Sequence, residues 1–285
     1  MIFTELHLCK FSCKNIHLSR ADGSSAPSFL TVAAKGGILT AISDPLPVRS
    51  SRIKICEVIN MYTSVYSIQT PEEALDCVAA GADHIGLLIG DGFCPACISM
   101  EQAKAVFAAI RHRAVCSAII MVHDEDKTIE LAKELRPDVL HLCDDVVFAT
   151  RDFADRLKSA VPGIKLMQGV SITGPEAVAL AKSYEGIADL LITDTHCAYG
   201  IGASGLSHDW DIDRRIVEEV NVPVIIAGGL GPDNVAEAIC HVRPFGVDSL
   251  TKTSIFRDGK VVRKDPEKVR RFVENARRAA MDISR

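Results

Sequence analysis

The stretch that decides the fold is Val222-Pro-Val-Ile-Ile-Ala-Gly-Gly-Leu-Gly-Pro-Asp-Asn-Val-Ala-Glu-Ala-Ile239, which joins a strand, a glycine turn and the start of a helix. Residues 222–227 form a short apolar, β-branched run, typical of a parallel strand covered on both faces. Gly228 and Gly229 follow, and without Cβ atoms their backbone N–H groups can approach a ligand closely. Pro232 suits the first turn of a helix, and helix N-termini attract anions. The stretch predicts a phosphate-binding turn, although a plain strand-to-helix turn fits the same glycines.

The alternation of strand and helix continues from about residue 62 onward. Apolar runs predict eight strands, at 63–68, 84–89, 115–122, 139–143, 164–172, 190–193, 222–227 and 247–250. Amphipathic segments predict eight helices, at 71–80, 99–111, 125–135, 146–160, 174–185, 212–220, 232–241 and 265–281. Strands that alternate with helices form a parallel sheet, and eight such units close into a barrel. We predict an α/β fold, a single (βα)8 TIM barrel, rather than an open doubly wound sheet, because no dinucleotide fingerprint follows the first strand.

Residues 1–60 precede this regular pattern and differ from it. Segments 28–34 and 38–43 flank a Lys35-Gly-Gly37 turn, which predicts a small β-hairpin. We therefore predict an N-terminal extension over residues 1–60 and a barrel over residues 61–285.

Composition and charge exclude several classes of function. The 285 residues carry a formal net charge of −5, which gives no electrostatic basis for binding nucleic acid. No apolar run approaches the ~20 residues of a membrane span, and the N-terminus lacks a basic-then-apolar secretion signal. Ten cysteines at scattered spacings predict reduced thiols in a cytosol. We predict a cytoplasmic protein without a nucleic-acid or membrane partner, and the sequence leaves its oligomeric state open.

In a (βα)8 barrel, function resides on the loops that follow the C-terminal ends of the strands. The predicted barrel therefore brings together residues that are distant along the chain. These are Tyr66, the 92–98 loop, His141, Cys143, the 194–207 segment, Gly228, Gly229 and the 249–253 segment. The loops after strands seven and eight commonly hold phosphate in such barrels.

Short motifs in a fixed order along residues 63–275 connect the chain to a known family. They are Thr70-Pro-Glu-Glu-Ala74, Gly81-Ala-Asp83, Ser99-Met-Glu-Gln-Ala103, Leu191-Ile-Thr-Asp-Thr195, Gly202-Ala-Ser-Gly205, Asp209-Trp210, Ala227-Gly-Gly-Leu-Gly-Pro-Asp-Asn234, Gly246-Val-Asp248 and Lys264-Asp-Pro-Glu-Lys268. In these motifs the chain resembles the phosphoribosylanthranilate isomerases of tryptophan biosynthesis. The resemblance implies an isomerase, an intramolecular oxidoreductase that performs an Amadori rearrangement of an aminated ribose phosphate. It also implies a small phosphorylated sugar as substrate and no cofactor.

The resemblance implies roles for individual residues. The reaction needs an acid for the furanose ring oxygen, a base for the sugar C2 proton and a hold on the phosphate. Asp194 falls on the family's general acid. The predicted phosphate-binding residues are Gly202, Ala203, Ser204, Gly205, Gly228, Gly229, Thr251 and Lys252.

Three departures from the family pattern concern the base and the substrate carboxylate. The family's first strand reads lysine, isoleucine, cysteine, glycine, with the cysteine as base, where this chain has Ser64, Val65, Tyr66 and Ser67. Ala96 replaces an arginine that holds the substrate carboxylate. The family's Gln-Leu-His in the fourth strand becomes His141-Leu142-Cys143, whose first and third residues share the inward face of a strand. The chain resembles a diverged member, and we seek its base among Tyr66, His141 and Cys143.

Two further stretches contain cysteines in suggestive positions. Ile53-Lys-Ile-Cys56 imitates the family's catalytic strand, but fifteen positions separate Cys56 from Pro71 where the family needs five. Cys94-Pro-Ala-Cys97 has the spacing of a zinc or dithiol pair. A structural zinc site usually combines two close pairs, and no second pair follows Cys97 at the usual spacing, so we predict no metal.

The departures leave two alternatives to the isomerase. One is a diverged phosphate-binding barrel that acts on another sugar phosphate, and the other is a non-catalytic protein that binds a phosphorylated ligand or serves in assembly. The Asp194→Asn variant distinguishes an enzyme from a binding protein. In an enzyme it abolishes turnover and spares binding. In a binding protein it has little effect, and the parent shows no turnover.

Overall fold

The computed structural model describes residues 28–34, 37–43, 61–90, 96–143, 147–197, 200–201, 208–258 and 260–283. The chain divides into two compact units, residues 1–59 and residues 60–283. In the first unit β1 (Ser28–Ala34) pairs antiparallel with β2 (Gly37–Ser43) over their full lengths.

The second unit alternates strands and helices. Its strands are β3 (Tyr62–Val65), β4 (His84–Ile89), β5 (Cys97–Ile98), β6 (Val115–Ile120), β7 (Val139–Leu142), β8 (Lys165–Ile172), β9 (Leu190–Cys197), β10 (Gly200–Ile201), β11 (Val224–Ile226), β12 (Gly246–Ser249), β13 (Ser254–Arg257) and β14 (Lys260–Lys264). Its helices are α1 (Pro71–Ala79), α2 (Met100–Ile110), α3 (Glu125–Leu135), α4 (Arg151–Ala160), α5 (Ala177–Ser183), α6 (Trp210–Glu219), α7 (Val235–Val242) and α8 (Pro266–Ile283), with a 3-10 turn at Thr251–Thr253.

The parallel strands close into a barrel in the order β3, β4, β6, β7, β8, β9, β11 and β12. The last strand pairs back to the first, and this register places Asp248 beside Ser64. The short strand β5 pairs parallel with β4, and β10 pairs antiparallel with β9. Strands β13 and β14 form a separate antiparallel ribbon. The predicted (βα)8 barrel is confirmed, because each strand is followed by a helix that returns the chain to the same end of the sheet.

Local signals in the sequence fix where several helices begin. The Thr70 side chain accepts a hydrogen bond from the Glu73 amide at 3.2 Å, and Ser99 forms a capping box with Gln102. The helix predicted from residue 232 begins instead at Val235. Its preceding residue, Asn234, has non-helical backbone angles, and its side chain bonds the glycine turn rather than the helix.

Buried apolar side chains form two clusters on the two sides of the barrel wall. The larger includes Val65 and Val247 and reaches the helices. The smaller includes Tyr66, Ile192 and Ile225. Successive residues such as Val65 and Tyr66 fall in different clusters because side chains alternate along a strand. The smaller cluster is therefore the barrel interior.

None of the helices in the described part of the chain combines the length and the apolar character that a bilayer crossing requires.

Candidate active site

A pocket opens at the C-terminal ends of β9, β11 and β12, and we call it the strand-end pocket. It is lined by Asp194, Ala227, Gly228, Gly229, Leu230, Asp248, Leu250 and Thr251. This is the end of the barrel at which enzymes of this architecture bind their substrates. Residues predicted from separate motifs therefore meet in one place, together with a second carboxyl group, Asp248, to which the sequence analysis gave no role.

Asp194 lies on β9 and faces the strand-end pocket. One carboxyl oxygen, Oδ1, accepts a hydrogen bond from the backbone amide of Thr195 at 2.7 Å. Burial raises the pKa of this carboxyl to about 6, although that hydrogen bond opposes the shift. A carboxyl with a pKa this close to neutrality can both hold and release a proton under physiological conditions.

Asp248 lies on β12 and is almost completely buried. The Ser64 hydroxyl donates a hydrogen bond to its Oδ1 from the adjacent strand β3. Burial raises the pKa of the carboxyl to about 7, while this hydrogen bond and the charge of Lys264 act in the opposite direction. The sequence signal was present in the Gly246-Val-Asp248 motif, but which face of the strand the carboxyl occupies became clear only from the register.

Lys264 holds the segment that follows β12. Its ammonium group is buried and donates hydrogen bonds to the carbonyl oxygen of Leu250 at 2.6 Å and to Ser254 Oγ at 3.0 Å. Further bonds reach Thr253 Oγ1 at 3.2 Å and the carbonyl oxygen of Ser249 at 3.4 Å. Burial lowers the pKa of the lysine to about 8, although the charge of Asp248 raises it. This anchor fixes the loop that carries Leu250 and Thr251 into the pocket.

The glycine turn after β11 has the backbone shape that the sequence predicted. Gly228 and Gly229 have φ angles of +81° and +64°, which side-chain-bearing residues rarely adopt. Neither of their amides hydrogen-bonds another described residue. Asn234 holds the turn from behind, because its Oδ1 accepts from the Gly231 amide at 2.8 Å and its Nδ2 donates to the Gly229 carbonyl at 3.1 Å. Both glycines line the strand-end pocket.

A buried chain of polar groups supports the same turn. His208 lies 2.9 Å from Thr195 Oγ1 through Nδ1 and 2.6 Å from Asp213 Oδ2 through Nε2. An ideal Cβ on Gly228 would come within 2.4 Å of Thr195 Oγ1 and 2.8 Å of His208 Nδ1. Gly228 is therefore required by close packing as well as by its backbone angle.

Tyr66 lies in the barrel interior at the centre of a second polar network. Its hydroxyl is 2.8 Å from Ser117 Oγ, 3.0 Å from His141 Nδ1 and 3.3 Å from His84 Nε2. Burial raises the pKa of Tyr66 well above its usual value. Burial also lowers the pKa of His84 and of His141 to about 3, so both imidazoles are neutral. These shifts argue against Tyr66 and His141 as bases.

The remaining predicted residues are distributed around the barrel mouth. Thr251 lines the strand-end pocket, and the exposed Lys252 follows it and packs its Cβ against Gly231. Cys143 lies half-buried just after β7. Gly202, Ala203, Ser204, Gly205 and Cys94 lie outside the described residues.

The cysteine predictions need one correction. Cys97 is disulfide-bonded, so the expectation of reduced thiols is wrong for this residue. Cysteine spacing alone does not determine which sulfur atoms meet in space, and the prediction rested on spacing. In the part of the chain that the structure describes, no three His, Cys, Asp or Glu side chains are arranged to hold a metal ion.

Fold and pocket together define the class of (βα)8-barrel proteins with a ligand site at the strand ends. A family model described as N-(5'-phosphoribosyl)anthranilate (PRA) isomerase matches residues 64–275. The isomerase of that name from Methanocella arvoryzae is 33% identical over 227 residues, which cover 80% of this chain and 98% of the relative. That of Haloferax volcanii is 35% identical over 230 residues, covering 80% and 94%.

Solved structures show the same fold. Phosphoribosylanthranilate isomerase from Thermotoga maritima superposes with a TM-score of 0.62 at 22% identity, over 76% of this chain and 98% of that one. A crystal structure of such an isomerase in complex with reduced 1-(o-carboxyphenylamino)-1-deoxyribulose 5-phosphate also gives a TM-score of 0.62, at 21% identity, with the same coverage. The chain belongs to the N-(5'-phosphoribosyl)anthranilate isomerase family. The matched region starts at residue 64, so Cys56 lies outside it.

Proposed function

We propose that this chain catalyses the reaction for which its family is named, the Amadori-type isomerisation of N-(5'-phosphoribosyl)anthranilate from an aldose derivative to a ketose derivative. The observation that carries the proposal is that Asp194, with its pKa raised to about 6, lines the same pocket as the Gly228–Gly229 turn. A group that can protonate a ring oxygen therefore lies next to a site that can hold a phosphate. The barrel, residues 61–285, carries this activity.

The phosphate site is built from backbone amides and one hydroxyl. The amides of Gly228 and Gly229 lie at the pocket wall, and Thr251 adds a hydroxyl from the loop after β12. Backbone amides that no other described residue bonds, in the turn that precedes α7, favour an anion. Lys252 supplies a nearby positive charge, and Gly202, Ala203, Ser204 and Gly205 complete the proposed set. The inhibitor complex of a structural relative, which contains a ribulose 5-phosphate group, supports a phosphorylated sugar as the substrate.

Asp194 serves as the general acid in this proposal. It donates a proton to the furanose ring oxygen, and the bond between C1 and that oxygen breaks as the anthranilate nitrogen forms a double bond to C1. General acid catalysis of this kind contributes roughly 10²–10⁴-fold to rate.

The proposed compartment is the cytoplasm, and this proposal rests on the sequence alone.

The test is turnover of phosphoribosylanthranilate by the purified full chain, followed by the loss of substrate fluorescence. We expect turnover in the parent and a loss of roughly 10²–10⁴-fold in Asp194→Asn. The matched control is Asp189→Asn, at the opposite end of β9, where the carboxylate bonds the Leu166 amide at 2.8 Å and is remote from the pocket. The control should keep its turnover.

The reduced 1-(o-carboxyphenylamino)-1-deoxyribulose 5-phosphate that is bound in the related crystal structure serves as the inhibitor in a test that distinguishes the alternatives. An isomerase binds this inhibitor in both the parent and Asp194→Asn. A parent without turnover whose melting temperature still rises with inorganic phosphate contradicts the proposal. Ala96 and the large side chain of Tyr66 then favour another sugar phosphate as the ligand.

A further inference from the structure

The proposed reaction needs a base for the sugar C2 proton, and the groups predicted for this role are poorly placed. The Tyr66 hydroxyl is buried among Ser117, His141 and His84, and its pKa lies well above the usual value. His141 is neutral and engages Tyr66 through Nδ1. Cys143 is not among the residues that line the strand-end pocket. The base must therefore be sought within the pocket itself.

Asp248 meets the geometric requirements for this base. It lines the strand-end pocket together with Asp194. The two residues lie on β12 and β9, which are separated by β11 alone, so their backbones are two strand spacings or about 10 Å apart. Both residues line the same pocket from these two strands.

The surroundings of Asp248 leave its carboxyl available for chemistry. Ser64 is the only side chain among the described residues that hydrogen-bonds it. The ammonium group of Lys264 is directed instead to carbonyl and hydroxyl oxygens of the loop after β12. Among the described residues, therefore, no cation bonds Asp248 directly and holds it permanently ionised and weakly basic.

We propose that Asp248 is the general base of the isomerisation and removes the proton from the sugar C2, while Asp194 in the same pocket protonates the ring oxygen. This inference rests on the proposed function.

The steps balance in protons and electrons. Asp194 gives its proton to the ring oxygen, the bond from C1 to that oxygen breaks, and the nitrogen lone pair forms a C1–N double bond. Asp248 then takes the proton from C2, and the C2–H electron pair forms a C1–C2 double bond as the electrons of the C1–N double bond return to nitrogen. The resulting enol tautomerises when its hydroxyl proton leaves and C1 gains a proton. The substrate keeps its composition, and one proton has passed from Asp194 to Asp248, from which it returns to Asp194 through solvent.

The pKa values of both carboxyl groups lie near neutrality. The pKa of Asp194 is raised to about 6 and that of Asp248 to about 7, chiefly by burial, and the charge of Asp194 adds to the shift of Asp248. The higher pKa of Asp248 favours the proton on that carboxyl, so the reactive state, with the proton on Asp194 and Asp248 ionised, is the less populated of the two singly protonated states.

The first experiment compares Asp248→Asn with the parent, using phosphoribosylanthranilate that carries hydrogen or deuterium at the sugar C2. We expect turnover to fall by roughly 10²–10⁴-fold. The deuterium isotope effect should rise because proton removal becomes rate-limiting, while the reduced ribulose phosphate inhibitor still binds. Turnover within about tenfold of the parent, or a loss of turnover without a larger isotope effect, would overturn the proposal.

The second experiment leaves Asp248 in place. Ser64→Ala removes a hydrogen bond that lowers the pKa of Asp248, so the acidic limb of the profile of kcat/KM against pH should move to higher pH. The matched control is Ser117→Ala, another buried, inward-facing serine, which bonds Tyr66 instead. A shift in the control with none in Ser64→Ala would assign the base to the Tyr66 network and overturn the proposal.

These experiments separate the two proposals. Absence of turnover in the parent defeats the proposed function and this inference together. Turnover in the parent that depends on Asp194 and is insensitive to Asp248 defeats this inference alone.

Discussion

The ring of Tyr66 lies directly over the backbone of Gly86. An ideal Cβ on Gly86 would come within 2.2 Å of Tyr66 Cδ1 and 2.3 Å of Cε1. The barrel interior accommodates the tyrosine only because β4 has no side chain at this point. The position at which the family carries a cysteine thus holds a bulky group whose hydroxyl bonds Ser117 and His141.

The first prediction follows from this packing. Gly86→Ala should lower the free energy of unfolding by about 1–3 kcal/mol, because a rigid ring and a strand backbone cannot both move aside. Urea denaturation measures the change. The double variant Gly86→Ala with Tyr66→Cys relieves the clash, so its cost should be smaller than the sum of the two single changes. If the stability costs of the two single changes add up to that of the double variant, the contact between Tyr66 and the side chain introduced at position 86 is not strained.

The second prediction separates a structural from a catalytic role of Tyr66. Tyr66→Phe removes the hydroxyl and leaves His141 and Ser117 without this partner, which should destabilise the fold by about 1–3 kcal/mol. Turnover of phosphoribosylanthranilate should stay within about tenfold of the parent. Parallel urea denaturation and fluorescence assays provide both values. A loss of turnover as large as that of Asp194→Asn would return the role of base to the tyrosine.

The third prediction concerns stability as a function of pH. The folded-state pKa of Asp194 is about 6, against 3.8 for an ordinary aspartate, so the folded protein binds more protons than the unfolded chain between about pH 4 and 6. Stability is therefore lost as pH rises through this window. Asp194→Asn removes the penalty and should stabilise the protein by up to about 3 kcal/mol at pH 8.

At pH 3.5 the same substitution should have little effect, because the carboxyl is then mostly protonated in both states. Unfolding curves at the two pH values test this. An equal gain at both values would attribute the stabilisation to packing instead of ionisation.

The fourth prediction concerns the glycine turn. Gly228→Ala combines a left-handed backbone with a Cβ 2.4 Å from Thr195 Oγ1, so the turn must shift. Gly163→Ala is the matched control, because its φ of +88° is similar and nothing lies within 4 Å of its Cβ. The control should lose about 1–2 kcal/mol of stability through backbone strain alone.

Gly228→Ala should lose more stability than the control, and inorganic phosphate should no longer raise its melting temperature. The control should keep the phosphate response of the parent. Unchanged phosphate binding in Gly228→Ala would remove the glycine turn from the phosphate site.

Local sequence signals predicted much of the architecture. Thr70 and Ser99 start their helices through bonds to residues three positions away, and the strands follow from apolar runs that need no distant partner. Eight repeats of such local units sufficed to predict the barrel. Asp194 and the glycine turn were assigned from motifs at the predicted strand ends, and their roles remain predictions.

The sequence by itself determined the barrel, because strand and helix periodicity and turn chemistry act between near neighbours. Only the tertiary structure decided which groups share the strand-end pocket. Asp248 accepts a hydrogen bond from Ser64, which lies 184 residues away along the chain, and the Tyr66 hydroxyl contacts His141 across the barrel. Such pairs depend on the register of the closed sheet and on burial, which arise only when distant strands pair.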